Sequence, residues 1–246
     1  LGIGIITRNR RDCVLEVVRR VRLHTVADYD LVVGVDHSDD DTLTVLADRG
    51  VRTVEPVERG IPANRNAVLA ALRDHEVIIL IEDDHKPVVD SWEQPYVDVV
   101  TRTPVKVCLA LSAIHGLLTT QEFESGLTVG WRPNMGCVLV AMHRTVLDTV
   151  GGWDPAFGDR YGLDDGTWAI RCIRAGLTGP HKGFPCLPGD LGLTTDILDP
   201  PSSDGKTVAE READIEANWP LWENRHNGPI LIPLPTSAAG TATSSG

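Results

Sequence analysis

The chain predicts an α/β protein built on a mainly parallel sheet flanked by helices. Short β-branched runs alternate with amphipathic stretches from the first residue onward, as they do in βαβ units. Val77–Ile81 is apolar throughout and bounded by polar residues, the pattern of a central strand buried on both faces. Polar clusters follow three of the predicted strands, at the carboxyl ends where open α/β sheets bind their ligands.

The elements follow in order. Leu1–Thr7 is a predicted strand, and Val14, Val17, Val18 and Val21 recur at helical spacing, which predicts a helix over 11–23. Leu31–Val35 is a second strand, Thr42–Arg49 a second helix and Val51–Val54 a third strand. Pro62–Leu72 opens on a proline suited to a first helical turn and carries Val68, Leu69 and Leu72 on one face. Val77–Ile81 delivers Glu82-Asp83-Asp84 at its end. Beyond residue 90 the pattern is mixed: Val105–Leu111 and Cys137–Met142 predict strands, Arg144–Val150 and Thr167–Ala175 helices, and the glycine-containing stretch 113–135 mostly loop. Proline and glycine become frequent after Pro180. Thr236–Gly246 holds only Ser, Thr, Ala and Gly, too little apolar surface to order a chain, so a disordered tail is expected, with its boundary drawn at 229.

Composition narrows the function. The 246 residues carry a formal charge of −12, and no basic arm is visible, which argues against a nucleic-acid partner. No apolar run approaches the roughly 20 residues of a membrane span. Five scattered cysteines without C-x-x-C spacing suggest neither a disulfide framework nor a zinc site. With no secretory leader recognisable before Thr7-Arg8-Asn9-Arg10-Arg11, a cytoplasmic location is expected.

The candidate chemistry lies in the clusters after the strands: Thr7-Arg8-Asn9-Arg10, Asp36-His37-Ser38-Asp39 and Glu82-Asp83-Asp84. Gly2-Ile3-Gly4 imitates the start of a dinucleotide fingerprint, but the third glycine would fall at Thr7 and both glycines lie inside the strand, so they read as close-packing positions. Three carboxylates in a row after a buried strand repel one another, and a divalent cation would relieve that repulsion. An acidic protein that holds a diphosphate also needs positive charge between them, which Mg²⁺ or Mn²⁺ would supply. A solvated turn is the alternative for such a triplet.

Five motifs in order carry a resemblance: Ile5-Ile6-Thr7-Arg8-Asn9-Arg10, Val35-Asp36-His37-Ser38-Asp39-Asp40-Asp41-Thr42, Gly60-Ile61-Pro62-Ala63-Asn64-Arg65-Asn66, Leu80-Ile81-Glu82-Asp83-Asp84, and Gly151-Gly152-Trp153-Asp154 leading to Tyr161-Gly162-Leu163-Asp164-Asp165. Together they resemble a GT-A glycosyltransferase of the family 2 type over residues 1–176. The resemblance implies a GT-A fold in one domain with two halves, 1–112 for the nucleotide-sugar and 113–228 for the acceptor and catalysis, ahead of a tail over 229–246. It implies a nucleoside-diphosphate sugar donor of the UDP, GDP or TDP type, Mg²⁺ or Mn²⁺, an acceptor hydroxyl and usually inversion at the anomeric carbon.

By the same resemblance Thr7 and Asn9 touch the nucleoside. Asp36 accepts the N–H of a base imide, a role open to an acceptor-only carboxylate and to uracil, thymine or guanine; a turn or cap residue is its alternative, although Asp39 and Asp40 suit capping better. Arg65 lies near the base and diphosphate, with Asn64 and Asn66 beside it. Glu82, Asp83 and Asp84 take the D-x-D position, with Asp84 the direct metal ligand and Glu82 acting through water or ribose; His85 could shift that register by one. Asp165 matches the family's base and Asp164 its neighbour, the alternative for each being an acid that complements a helix N-terminus. His181 is the nearest candidate for a further metal ligand. Trp131, Trp153 and Trp168 could stack on a sugar or pack in the core. A sugar-1-phosphate nucleotidyltransferase would need a glycine-rich phosphate loop that residues 7–12 lack, and a non-catalytic nucleotide-sugar-binding protein would not need both acidic clusters.

Overall fold

The computed structural model describes residues 1–111, 117–133, 137–158, 160–188, 193–194 and 206–236. In chain order the elements are β1 (Gly2–Thr7), α1 (Arg11–His24), β2 (Asp30–Val35), α2 (Thr42–Asp48), β3 (Arg52–Val54), α3 (Ile61–Leu72), β4 (Val77–Glu82), β5 (Lys86–Pro87), α4 (Gln94–Arg102), β6 (Val107–Leu111), β7 (Thr119–Glu122), β8 (Thr128–Arg132), β9 (Cys137–His143), α5 (Thr145–Thr149), α6 (Asp164–Arg174), β10 (Phe184–Cys186), β11 (Leu193–Thr194) and α7 (Val208–His226). A 3₁₀ turn over Pro155–Phe157 precedes α6.

One mixed sheet organises the chain, in the order β3-β2-β1-β4-β9-β6-β10-β8-β7. The first four strands run parallel, and β9 runs antiparallel to both β4 and β6. β4 is buried on both faces as its composition predicts, with Val77, Ile79 and Ile81 in the layer under α1 and α4, and Ile78 and Leu80 in the layer under α3, α5 and α6. The four valines of α1 are all buried. α3 lies unusually close to the sheet: a Cβ at Gly4 would stand 2.3 Å from Val68 Cγ1, and one at Gly34 2.2 Å from Asn64 Oδ1. The strand glycine at position 4 is therefore a packing position, as expected.

Three differences from the sequence reading have physical causes. The stretch 113–135 contains the hairpin β7–β8, closed by Phe123–Leu127 backbone bonds around Gly126 at φ 78°; β7 is a polar edge strand whose residues are all exposed or half-buried, so it lacks an alternating apolar signal. α4 does carry an apolar face, with Tyr96, Val99 and Val100 buried at helical spacing, but at nine residues it is short and about half of it is β-branched or proline, so the sequence pattern does not assign it. α7 buries only Asn218 fully and contains Pro220, so its amphipathic signal is weak. The expected tail over 229–246 is also corrected at its start: Ile230 and Leu234 pack on the second core layer, and Ile232 bridges Gly151 and bonds to Val150 and Gly152. Its remainder, 237–246, lies outside the described residues. No helix among the described residues is long and apolar enough to cross a membrane.

Candidate active site

A cleft of about 910 Å³ opens where β1, β2 and β4 end, its walls reaching from Thr7, Asp36 and Glu82 to residues 157–158, 160–166 and α7. Thr7 is buried at the end of β1, and its hydroxyl donates to Asp83 Oδ2 at 2.6 Å. Arg8 also faces the cleft, 3.9 Å from Asp36 Oδ2. Asn9 takes φ 52°, a left-handed conformation asparagine tolerates. Its Oδ1 accepts from the Asp39 N–H at 2.7 Å, and its own N–H donates to Ser38 Oγ at 2.9 Å. Asn9 thus ties the first loop to the second and is not among the residues lining the cleft.

Asp36 is buried at the end of β2 and lines the cleft; Oδ2 accepts the Gly60 N–H at 3.1 Å, and Oδ1 lies 3.3 Å from His37 Nδ1. Gly60 holds φ 115° with its Cα against Gly158, a position no side chain could share: a Cβ would lie 2.5 Å from the Gly158 carbonyl oxygen. At the start of α2, Asp40, the residue before the N-cap Asp41, accepts from the Thr42 N–H at 3.1 Å. In α3, Asn64 donates to the Gly34 carbonyl at 3.1 Å, while Asn66 exchanges two 2.8 Å bonds with the backbone of Trp153. The two asparagines are staples between elements.

Between them stands Arg65, mostly buried at the wall of the cleft, with its guanidinium paired to acids. Its guanidinium donates to Glu82 Oε1 at 3.0 Å, Asp164 Oδ2 at 3.1 Å and Asp165 Oδ1 at 2.5 Å, and lies 5.0 Å over the Trp153 ring. Arg10 has the matching role on the other side, donating to Asp83 Oδ1 at 2.9 Å and Asp84 Oδ2 at 3.1 Å. Two guanidiniums are set among these five carboxylates, and Arg8, Arg160, Lys206 and Arg211 also line the cleft.

Glu82, Asp84 and His85 each offer one ligand atom within 4.8 Å of the others. The two carboxylates are the ligand type that Mg²⁺ and Mn²⁺ take, and the imidazole adds a nitrogen. Burial pushes the Glu82 carboxyl up to about 7 against the pull of Arg65, with the Asp84 and Asp165 charges adding to the rise. Its side chain keeps a third of its surface open to the cleft, so it remains reachable. Burial would raise Asp84 too, but His85, bonded at 2.5 Å, and Arg10 outweigh it and hold that carboxyl below its ordinary value. Such a set fits a divalent cation. Asp83 turns away into its bonds with Thr7 and Arg10. His181 packs edge-on against Trp131 with ring centroids 4.5 Å apart and does not line the cleft; the histidine beside the acids is His85.

Asp164 and Asp165 occupy the first turn of α6, which begins three residues earlier than the apolar pattern suggests. Asp165 Oδ1 accepts from both Arg65 and Trp153 Nε1, the latter at 2.9 Å, and among the described residues Oδ2 has no bonded partner. Asp164 is more deeply buried; burial first, and then the Asp165 charge, push its carboxyl up to about 6 despite Arg65. Trp153 and Trp168 stack face to face at 4.4 Å and are fully buried, as is Trp131, so all three are packing residues. Sequence reasoning assigned no role to Arg8, Arg10 or α7. The Arg8-Asn9-Arg10 cluster did signal the first two.

Residues 3–126 match the model described as Glycosyl transferase family 2. No curated protein sequence matches the chain. Similar solved structures include a mannosyltransferase, PcManGT from Pyrobaculum calidifontis, in complex with GDP-Man and Mn²⁺ (18% identity, TM-score 0.57, covering 78% of this chain and 55% of that one). GalNAc-T7 with UDP, GalNAc and Mn²⁺ is another (15%, 0.58, 76% and 42%). S. aureus TarS 1–349 in complex with UDP is a third (12%, 0.55, 78% and 59%). The chain spans about half the length of these proteins.

Proposed function

The chain belongs to glycosyl transferase family 2 and has the GT-A fold, and from that premise we propose that it moves a sugar from a nucleoside-diphosphate sugar to an acceptor hydroxyl with the help of a divalent cation. One observation carries the proposal: a single cleft collects Asp36, the Glu82–Asp84 cluster and Asp165 from elements far apart in sequence. Asp36 accepts the imide N–H of the base, and Arg8, paired with it at 3.9 Å, lines the same end of the cleft. Glu82, Asp84 and His85 would hold the cation, which when bound would supply positive charge next to the diphosphate. Asp165 Oδ2 takes the acceptor proton as that oxygen bonds to the anomeric carbon and the bond from this carbon to the phosphate oxygen breaks, with its electron pair leaving on the nucleoside diphosphate. Attack from the side opposite the leaving group inverts the anomeric centre. Arg65 and Trp153 hold the base in place through Oδ1.

A thermal-shift panel of UDP, GDP, TDP and CDP with and without Mn²⁺ tests this reading. At least one imide-bearing diphosphate should raise the melting temperature only with metal, and Asp84→Ala should remove most of that metal-dependent rise. Equal shifts in EDTA would dismiss the metal.

Asp36→Asn isolates the base contact, because the amide oxygen can still accept from Gly60 while its NH₂ opposes the imide N–H. A lost charge-assisted hydrogen bond of about 1.5–3 kcal/mol corresponds to about 10- to 100-fold weaker diphosphate binding by calorimetry, with discrimination among the bases lost. Unchanged affinity and selectivity would leave Asp36 as a loop anchor only.

A further inference from the structure

α7 turns toward the cleft an aromatic surface that the transfer chemistry above does not use. Trp219 and Trp222 both line the cleft and stack with centroids 5.1 Å apart at 27°. Trp219 is 47% exposed, forgoing much of the burial that a ring of its size offers. Neither ring is loose: Trp219 Nε1 donates to Glu223 Oε1 at 3.0 Å, and the Trp222 ring rests 5.0 Å from His226. The helix is fastened to the approach of α6, with Asn218 donating to the Gly162 carbonyl at 2.9 Å and Asp214 accepting from the Tyr161 N–H at 2.9 Å. Position 166, the residue after Asp165, is a glycine against which Trp222 packs; a Cβ there would stand 3.3 Å from Trp222 Nε1, tighter than ordinary contact. The Trp222 indole therefore stands beside the backbone that carries Asp165.

We propose that Trp219 and Trp222 form the acceptor subsite and that they take a pyranose ring, stacked by its C–H face on the indoles with one hydroxyl directed to Asp165. The proposal rests on Asp165 as the base. An indole face is electron-rich and attracts the partly positive C–H groups of a sugar ring. Tyr161, with Arg211 stacked over its ring, and Lys206, paired with Asp214, share the wall, which makes the surroundings of the indoles polar. A sugar also brings the flat face and the nucleophilic hydroxyl within one ring, which the closeness of Trp222 to Asp165 demands.

Spectra of protein labelled with ¹⁵N at the indole nitrogens read each tryptophan separately, with Trp219→Phe and Trp222→Phe giving the assignments. The probes are the methyl pyranosides of glucose, galactose, mannose and N-acetylglucosamine, glycerol as a polyol without a ring, and p-nitrophenol as an aromatic ring without a sugar. At least one glycoside should move the Trp219 and Trp222 signals and leave the buried Trp92 and Trp131 signals in place, with no response to glycerol. Trp219→Ala should weaken that glycoside about 3- to 10-fold, the worth of one ring contact, and keep the nucleotide-induced melting shift. Silence of both indoles toward every glycoside, an equal response to glycerol, or a response to p-nitrophenol alone overturns the proposal. The nucleotide panel fails or succeeds independently of these spectra, so glycoside binding with no diphosphate binding would leave a sugar-binding surface but overturn its role as the acceptor subsite together with the transfer reaction.

Discussion

Asp165→Asn is expected to keep the fold and the donor affinity and to lower turnover about 10²–10⁴-fold, the usual worth of general-base help. The amide is nearly isosteric, and its oxygen can still accept from Arg65 and Trp153 at the Oδ1 position. What changes is the other atom: an NH₂ replaces the Oδ2 that would take the proton. Asp164→Asn should cost less, since that carboxyl is turned into the protein against Arg65 and acts on the reaction through the arginine. Turnover is read as nucleoside-diphosphate release once an acceptor is available. Near-normal turnover in Asp165→Asn together with an inactive Asp164→Asn would move the base one residue back.

Arg65→Met is expected to destabilise the protein by about 3–5 kcal/mol, the penalty for stripping the partner from buried charges. Glu82, Asp164 and Asp165 would then face one another across a cleft with no cation between them. A denaturant titration measures the loss as a lower midpoint at unchanged slope. Adding Glu82→Gln and Asp164→Asn to Arg65→Met should recover most of it, because the neutral side chains no longer repel. Wild-type stability of the single variant would show that the acids find their compensation in water instead.

The parallel half of the sheet is legible because each of its elements has a one-sided or fully apolar signature: the valines of α1 and the unbroken Val77–Ile81 leave little choice. The positions of Asp36, Glu82 and Asp84 follow from the strands that precede them. The role of Arg65 does not, since a guanidinium that serves a diphosphate and one that serves three carboxylates look alike until Asp164 and Asp165 arrive from 100 residues away. His85 against His181 was hidden for a related reason. A ligand set depends on which side chains converge in space, and His181 spends its ring on Trp131. α7 left almost no trace because a helix that buries one residue fully and displays its tryptophans does not repeat an apolar face.

The double clasp between Asn66 and the Trp153 backbone has a consequence for anyone who would re-engineer the enzyme by exchanging parts. Trp153 holds Asp165, so the orientation of the proposed base depends on α3, 87 residues earlier in the chain. A graft that imports a foreign segment after residue 112 brings its own Trp–Asp pair but must meet the amide at 66 and the guanidinium at 65 in register. Chimeras should therefore be cut so that α3 travels with the segment 151–166. Splicing at the apparent midpoint of the chain would separate Asp165 from the scaffold that aims it.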